Sequence, residues 1–192
     1  MNNLRIRVLG PVGAEYAGTP LRLSKTRHRE ILGILVAARG GTVSTQRLID
    51  DLWEDTPAGA VGAVRTFSGE LRRILEPDRP PRTPPAVLLT TGGGYALRLP
   101  DDDVDLWRVE HRLHRAAEWS LEARERALTA ALDEWRGSPF EEFGTRAWAT
   151  AERVRLAELR AAAVEQLASA RLDLGRPQDV LALLDAHVGG HP

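Results

Sequence analysis

Hydrophobic and polar positions alternate at the start of the chain. Leu4, Ile6 and Val8 are separated by arginines, and this period of two is typical of a strand with one buried face. Two further short strands are predicted over 12–16 and 21–23, on either side of a Gly-Thr-Pro turn. The chain is therefore expected to begin with a small antiparallel sheet.

Three amphipathic helices are predicted to follow this sheet. The first covers about 26–38 and ends at a glycine pair. The second covers about 44–53, with Ser44 as its N-cap. The third begins after Thr56, has a proline at its first position and ends before Pro77.

The third predicted helix has one apolar face and one basic face. Its apolar residues recur at spacings of three and four, at Ala60, Val64, Phe67, Leu71 and Ile74. At about 100° per residue, the opposite face carries Gly62, Arg65, Gly69, Arg72 and Arg73, with Thr66 at its edge. A solvated charged surface is the ordinary interpretation of such a face. Arginines without an acid in the central turns, beside glycines that cost helix stability, instead favour a surface that approaches DNA.

A proline-rich stretch over 77–85 separates this helix from a predicted β-hairpin. Strands over 87–90 and 95–99 flank a glycine-rich turn at 91–94. No Gly-Lys-Ser/Thr motif and no helix follow the glycines, which argues against a phosphate loop. A basic helix followed by a hairpin is typical of a winged helix-turn-helix, in which the helix enters the major groove and the hairpin, or wing, contacts the DNA beside it.

Beyond residue 100 the pattern changes to helices alone. An acidic junction at 101–105, suited to cap a helix, precedes helices predicted over 106–119, 122–135, 146–174 and 177–187. Paired helices of this kind resemble a tetratricopeptide stack, although no 34-residue repeat is visible.

We therefore predict two domains of different fold class. The α+β winged helix-turn-helix domain covers 1–100 and has a small antiparallel sheet, three helices and a C-terminal hairpin wing. The domain over 101–192 is all-α and TPR-like.

Composition and charge are those of a soluble protein whose two halves differ. Of the 192 residues, 43% are hydrophobic and 28% are charged, and none is cysteine, which excludes disulfides and thiolate zinc sites. Residues 1–100 carry 14 basic and 9 acidic side chains, whereas 101–192 carry 12 and 18. No apolar run approaches the roughly 20 residues that cross a bilayer, and no signal peptide is evident. We expect a cytoplasmic, nucleoid-associated protein with no membrane contact.

Five segments of the first domain carry a family resemblance. They cover 5–12 (RIRVLGPV), 27–32 (RHREIL), 48–53 (LIDDLW), 71–77 (LRRILEP) and 94–97 (GYAL). In this order they resemble the Streptomyces antibiotic regulatory protein family, also called SARP or AfsR-like, whose first domain resembles the OmpR-type winged helix. The chain departs from the family by Gly-Glu in place of a Ser-Arg pair before LRR, and by glycine in place of proline before Gly-Tyr. The resemblance therefore implies DNA binding but not the preferred base sequence.

The second domain carries the same resemblance. The segments 132–140 (LDEWRGSPF) and 152–160 (ERVRLAELR), with the Trp-Ala pair at 148–149, resemble the family's bacterial transcriptional activator domain. In the family this domain continues for several more helices, so we expect a truncated stack whose apolar end favours self-association.

These features together imply a set of DNA-binding residues and a function. The expected contacts are Arg65, Thr66, Gly69, Arg72 and Arg73 on the third helix, the phosphate clamps Lys25, Arg27 and Arg29 near the start of the first helix, and Thr91, Gly92 and Gly93 at the wing tip. The resemblance implies a transcriptional activator of a secondary-metabolite (antibiotic) gene cluster. It also implies binding to direct repeats in double-stranded promoter DNA as a homodimer, and recruitment of RNA polymerase. No cofactor is expected.

Other interpretations of the same sequence remain open. The winged domain of a helical-repeat interaction module could bind a protein rather than DNA, and a small-molecule sensor would need a pocket that sequence cannot show. His111 and His114 could face one metal, but no third ligand is evident nearby, so no metal site is expected. The tryptophans of the second domain are expected in the core rather than in a ligand cage. No catalytic motif is present, and no enzyme is expected.

Overall fold

The structure is a computed structural model that describes residues 3–189, with side chains as far as residue 185. Its first part contains, in chain order, β1 (Leu4–Arg7), β2 (Gly13–Tyr16), β3 (Thr19–Pro20), α1 (Thr26–Ala37), β4 (Val43–Ser44), α2 (Thr45–Leu52), α3 (Ala60–Leu75), β5 (Leu88–Thr91) and β6 (Gly94–Leu97). Its second part contains α4 (Asp105–Arg115), α5 (Leu121–Leu132), α6 (Ala147–Asp173) and α7 (Pro177–Gly189). The predicted order of strands, three helices, hairpin and further helices is confirmed.

The first sheet has the order β1-β2-β3, and all its strands are antiparallel. Leu4 and Ile6 are buried while Arg5 and Arg7 are exposed, as the alternation predicts. The third strand, however, lies at Thr19–Pro20 and not at 21–23. The turn is one residue earlier than expected because Ala17 (φ 49°) and Gly18 (φ 80°) both adopt the left-handed conformation of a two-residue hairpin turn.

The ends of the winged-domain helices confirm one predicted cap and correct another. Ser44 caps α2, because its Oγ accepts a hydrogen bond of 3.0 Å from the backbone N–H of Arg47. Thr56 does not cap α3. The helix begins four residues later, after Gly59 in the left-handed conformation (φ 85°). Pro57 instead starts a turn, which is closed by a hydrogen bond from the N–H of Ala60 to the Pro57 carbonyl.

The wing is a hairpin in a second sheet of order β4-β6-β5. Its turn contains only Gly92 and Gly93, since Thr91 and Gly94 pair as the last and first residues of β5 and β6. A Cβ atom on Gly94 would collide with the carbonyl oxygen of Val43. Glycine at this position therefore lets β4 pair closely with β6 and holds the wing against the start of α2.

The helices of the second part pack each on the next, from α4 to α7. The helix expected over 106–119 ends at Arg115 and continues as a 3-10 turn, Ala116–Glu118. Trp107 and Trp148 are buried as predicted, whereas Trp119 is only half-buried. Within the described part of the chain, no helix is both long and apolar enough to cross a membrane.

The two parts share one hydrophobic core, and a buried carboxylate lies at their junction. Asp105 is fully buried and accepts hydrogen bonds of 2.9 and 3.1 Å from the backbone N–H groups of Val8 and Leu9. The guanidinium of Arg136 forms an ion pair of 2.8 Å with the same carboxylate, and the backbone N–H of Arg136 donates to the Leu9 carbonyl. Burial raises the pKa of Asp105, while the backbone N–H groups and Arg136 oppose the shift. The division into domains at residue 100 stays a prediction.

Aromatic side chains from the second part pack against α1. Phe140 is fully buried in a left-handed conformation (φ 55°), and its ring centroid lies 5.2 Å from that of Trp148. Both rings lie 3.0 Å from the position of a Cβ on Gly33, so α1 approaches closely because it has glycine there. On the same helix, the Val36 carbonyl accepts a hydrogen bond of 2.8 Å from the Trp107 indole.

We predict that Asp105→Ala destabilises the protein by about 3 kcal/mol, because it leaves buried N–H groups and Arg136 without their acceptor. Urea unfolding followed by circular dichroism measures the change as a lower midpoint. The matched control is Asp102→Ala, which removes an exposed carboxylate from the same junction. We expect the control to stay within about 0.5 kcal/mol of the wild type. Equal midpoints for the two variants would contradict the role assigned to Asp105.

Candidate nucleic-acid interface

The outer face of α3 is a continuous exposed stripe. Its inner face is buried against α1 and α2 through Val64, Leu71 and Leu75. Arg65, Thr66 and Arg73, predicted to face outward, are exposed, and Gly69 is half-buried between them. Ser68, which the apolar pattern leaves unassigned, is fully buried.

The edge of α3 that faces the wing is fastened by Arg72. Its Nε donates a hydrogen bond of 2.8 Å to the Leu88 carbonyl, and its Nη2 donates one of 2.6 Å to the Thr90 hydroxyl. The guanidinium also lies 5.7 Å from the centroid of the Tyr95 ring. This half-buried side chain therefore holds the wing against α3, and its contact with DNA stays a prediction.

The opposite edge of α3 carries Glu70, which lies next to α1. Lys25 Nζ donates hydrogen bonds of 2.8 and 2.7 Å to its two carboxylate oxygens, and His28 Nε2 lies 2.7 Å from one of them. Lys25, and secondly His28, hold the pKa of Glu70 below its ordinary value, so this side chain is charged at neutral pH. The acid is thus neutralised beside the stripe by Lys25, whose role as a phosphate clamp stays a prediction.

The other two predicted clamps are also engaged within the molecule. Arg27 donates to the Glu30 carboxylate and to the Leu52 carbonyl, and its guanidinium stacks 5.1 Å from a Trp53 ring centroid. Arg29 pairs with Glu142 of the second part at 2.7 Å and donates to the Leu23 carbonyl. Both guanidinium groups therefore stabilise the fold, since each hydrogen-bonds a residue that is distant in sequence, Leu52 for Arg27 and Glu142 for Arg29.

The wing tip lies beside the first turn of α2. The carbonyl of Gly93 accepts hydrogen bonds of 2.9 and 3.1 Å from the N–H and hydroxyl of Thr45. Gly92 and Gly93 are exposed, whereas Thr91 is half-buried with its hydroxyl 3.2 Å from that of Thr42. The predicted tip is therefore at the surface and is held in place by α2.

Two arginines of the stripe remain available. Among the side chains that the structure describes, neither Arg65 nor Arg73 forms a hydrogen bond or an ion pair with another residue. Both point from an amphipathic helix whose flanking charges, Arg72 and Glu70, are already paired. This arrangement can donate hydrogen bonds to an extended anionic partner without first breaking internal contacts.

Sequence reasoning missed Val61 on this stripe. Its side chain is 44% exposed, unlike the other large apolar residues of α3, which are buried or partly buried. At about 100° per residue it lies next to Arg72, on the side away from Arg65, at the edge of the stripe. The helical projection that identified the arginines could therefore have identified it too, as an apolar side chain on a polar face.

Within the described part of the chain, His111 and His114 have no third candidate ligand beside them. His111 Nδ1 lies 3.6 Å from Asp101, and both side chains are well exposed. Among the described residues, no three His, Asp or Glu side chains come together as a candidate metal site.

Comparisons with protein families match both parts of the chain. Residues 18–97 match a model described as "Transcriptional regulatory protein, C terminal", and residues 104–192 match the "Bacterial transcriptional activator domain". The match therefore changes from one model to the other between residues 97 and 104, next to the acidic junction.

Curated relatives share most of this chain. It is 35% identical to the regulatory protein AfsR of Streptomyces coelicolor, over 98% of this chain and 19% of AfsR. It is 32% identical to the transcriptional regulatory protein EmbR of Mycobacterium tuberculosis, over 96% of this chain and 48% of EmbR. It is 30% identical to the regulatory protein DnrI of Streptomyces peucetius, over 98% of this chain and 72% of DnrI. The chain thus spans about a fifth of AfsR and about half of EmbR.

A solved structure has the same fold over the whole chain. Mycobacterium tuberculosis EmbR, determined in complex with a low affinity phosphopeptide, superposes with a TM-score of 0.87 at 31% identity, covering 100% of this chain and 52% of EmbR. AfsR and DnrI are named as regulatory proteins and EmbR as a transcriptional regulatory protein. The chain belongs to the Streptomyces antibiotic regulatory protein (SARP, AfsR-like) family of transcriptional regulators, with an OmpR-type winged helix-turn-helix followed by a bacterial transcriptional activator domain.

Proposed function

We propose that this protein is a transcriptional activator that binds double-stranded promoter DNA with α3 in the major groove. The observation that carries the proposal is the exposed stripe on α3, where Arg65 and Arg73 have no partner among the described side chains, while Glu70 is paired with Lys25 and Arg72 is hydrogen-bonded to the wing. In a helix-turn-helix domain the second helix of the motif reads base edges, mainly with the residues of its N-terminal half. We therefore place Arg65 near bases and Arg73 near phosphates.

The glycines of the stripe support a close approach of DNA. A Cβ atom on Gly62 or on Gly69 would meet no protein atom within 4 Å. The protein's own packing therefore does not require glycine at either position, although each costs about 1 kcal/mol of helix stability relative to alanine. A partner that lies against the helix backbone explains both residues.

The wing extends the same surface beside α3. Gly92 and Gly93 are exposed at its tip, and a Cβ on either would also meet nothing within 4 Å. Arg72 fixes the distance between this tip and α3, and Thr45 fixes the tip to α2. We propose that the tip contacts the backbone or minor groove next to the site of α3.

The finer parts of the proposal rest on the family. The relatives AfsR and DnrI are regulators from Streptomyces species, which supports control of a secondary-metabolite gene cluster. We propose that two copies bind direct repeats upstream of a promoter about one helical turn apart. The acidic second domain would then contact the neighbouring copy or RNA polymerase.

We predict that Arg65→Ala and Arg73→Ala each weaken binding to an operator selected from a random DNA library. If Arg73 contacts phosphate, its loss lowers the salt slope of log K by about one and weakens binding to all sequences alike. If Arg65 reads a base, its loss costs about 1–3 kcal/mol at one position of the operator. Fluorescence anisotropy across a salt series measures both quantities.

The matched control is Arg115→Ala, which removes an exposed arginine from α4. It should leave the slope and the affinity unchanged. Wild-type affinity in both α3 variants would remove α3 from the interface. Failure of the wild type to select any DNA would favour the alternative, in which the winged domain binds a protein.

We predict that lysine replaces Arg73 better than it replaces Arg72. Lysine keeps the charge that a phosphate contact needs, so Arg73→Lys should retain most of the affinity for DNA. Arg72→Lys cannot bridge the Leu88 carbonyl and the Thr90 hydroxyl together, so it should loosen the wing and weaken binding although the charge is kept. Anisotropy titrations compare the two, and hydrogen exchange of the β5 amides reports on the wing. Equal losses in both variants would contradict the bracing role of Arg72.

We predict that Val61 contacts the 5-methyl group of a thymine. Apolar side chains on recognition helices meet this methyl group in the major groove. Deoxyuridine lacks only the methyl, so its substitution for one thymine in one half-site should weaken wild-type binding about fourfold, the equivalent of about 0.8 kcal/mol for one buried carbon. Val61→Ala should bind both operators equally, whereas Val154→Ala, an exposed valine on α6, should still distinguish them. If no thymine position shows this coupling, Val61 does not read a methyl group.

A further inference from the structure

Helix α3 carries one acidic residue, Glu70, and it lies beside the stripe. At about 100° per residue, Glu70 is displaced by about 40° from Thr66 and by about 60° from Arg73 around the helix axis, within one turn of each. Its side chain is 27% exposed. A carboxylate that projected freely from this edge would repel the phosphates of DNA lying on the stripe.

Two residues of α1 direct this carboxylate away from the stripe. Lys25, the N-cap residue of α1, donates hydrogen bonds of 2.8 and 2.7 Å from its Nζ to the two oxygens of Glu70. His28, in the first turn of α1, has its Nε2 2.7 Å from one of the same oxygens. Because both partners belong to α1, the carboxylate of Glu70 points towards α1.

The surroundings of His28 fix the direction of its contact with Glu70. The His28 side chain is 4% exposed, and its Nδ1 has no hydrogen-bond partner among the described residues. The tautomer with a proton on Nε2 fits this environment, since Nε2–H then donates to Glu70 and Nδ1 carries no proton that needs an acceptor. The Phe67 ring lies edge-on to His28, with its centroid 6.0 Å from that of the imidazole. The carboxylate is therefore held from a buried side as well as by the exposed ammonium group.

The ion pair between Lys25 and Glu70 is an exposed one. The Lys25 side chain is 52% exposed, and exposed ion pairs contribute little to the stability of a fold. Both of its hydrogen bonds nevertheless go to the single acid of α3. The main effect of this contact is therefore on the charge of the α3 surface.

We propose that Lys25 is a positioning residue for DNA recognition, which acts by holding the Glu70 carboxylate towards α1 and cancelling its charge. The inference rests on the proposed binding of DNA by α3. Lys25 contributes to affinity through Glu70 and not through a phosphate contact of its own. The edge of α3 next to α1 is then electrically neutral, and Arg65 and Arg73 supply the positive charge of the stripe.

The test is a double-mutant cycle, read as affinity for an operator selected with the wild-type protein. Lys25→Met removes the ammonium group and should weaken binding by about tenfold at low salt, because an unpaired carboxylate then faces an anionic partner. Glu70→Gln removes the acidic charge and should strengthen binding by about threefold, since the surface gains one net positive charge. The double variant should recover to within about twofold of the wild type, because the two residues act as one unit.

The double variant distinguishes this role of Lys25 from two others. If Lys25 contacts phosphate, its loss costs the same affinity whether or not Glu70 is replaced. If the ion pair only supports the fold, the double variant lacks the pair and stays as weak as Lys25→Met. A double variant that binds no better than Lys25→Met would therefore overturn the inference. Thermal melts of all variants check that they are folded.

A titration without DNA reads the contact itself. Lys25 is the main cause of the low pKa of Glu70, so we expect this pKa to rise in Lys25→Met, measured by carbon-13 NMR of the side-chain carboxyl. An unchanged pKa would overturn the contact. The matched control is Arg115→Met, which removes an exposed cation that pairs with Glu118 at 2.8 Å on the second domain. This control should match the wild type in both measurements.

The inference and the proposed function fail in different ways. Arg65→Ala and Arg73→Ala weaken binding if α3 faces DNA, whatever the role of Lys25. If they do so and the double variant does not recover, only the role of Lys25 is wrong. If both arginine variants bind like the wild type, α3 is not the interface and the inference is overturned with it.

Discussion

The arrangement of the molecule depends on the buried carboxylate of Asp105. A charge without water around it is tolerable only when donors surround it, and here the donors come from both parts of the chain: Val8 and Leu9 at the end of β1, and Arg136 beyond α5. These contacts hold the second domain against the winged domain. The acidic junction, which sequence suggests as a helix cap, is thus a structural connection between domains.

The position of the second domain determines what α1 does. One side of α1 packs on α3, and another receives Phe140, Trp107 and Trp148 from the second domain. The basic residues of α1 lie between these partners. Arg29 reaches Glu142, and Lys25 reaches Glu70 on α3. Helix α1 therefore connects the second domain to the helix proposed to read DNA, and positive charge at its start stabilises this connection.

On α3 too, charged side chains are used for internal contacts. Its two edges are fixed by internal contacts, through Arg72 to the wing and through Glu70 to the start of α1, and its centre is left exposed with two arginines and two glycines. Fixed edges hold the helix and wing in one relative position, which lowers the entropic cost of binding a partner.

Sequence alone determined the order of the elements, the outward stripe of α3 and the N-cap at Ser44, because periodicity and capping depend on residues only a few positions apart. It misplaced β3 and the start of α3, where left-handed residues set the turn. Only the tertiary structure decided which basic residues are free. Arg27 and Arg29 are of the residue type that binds phosphate, yet they hydrogen-bond Leu52 and Glu142, which lie 25 and 113 residues away in the chain. Charge is a property of the sequence, but its availability depends on the carboxylates and carbonyls that folding brings within hydrogen-bonding distance.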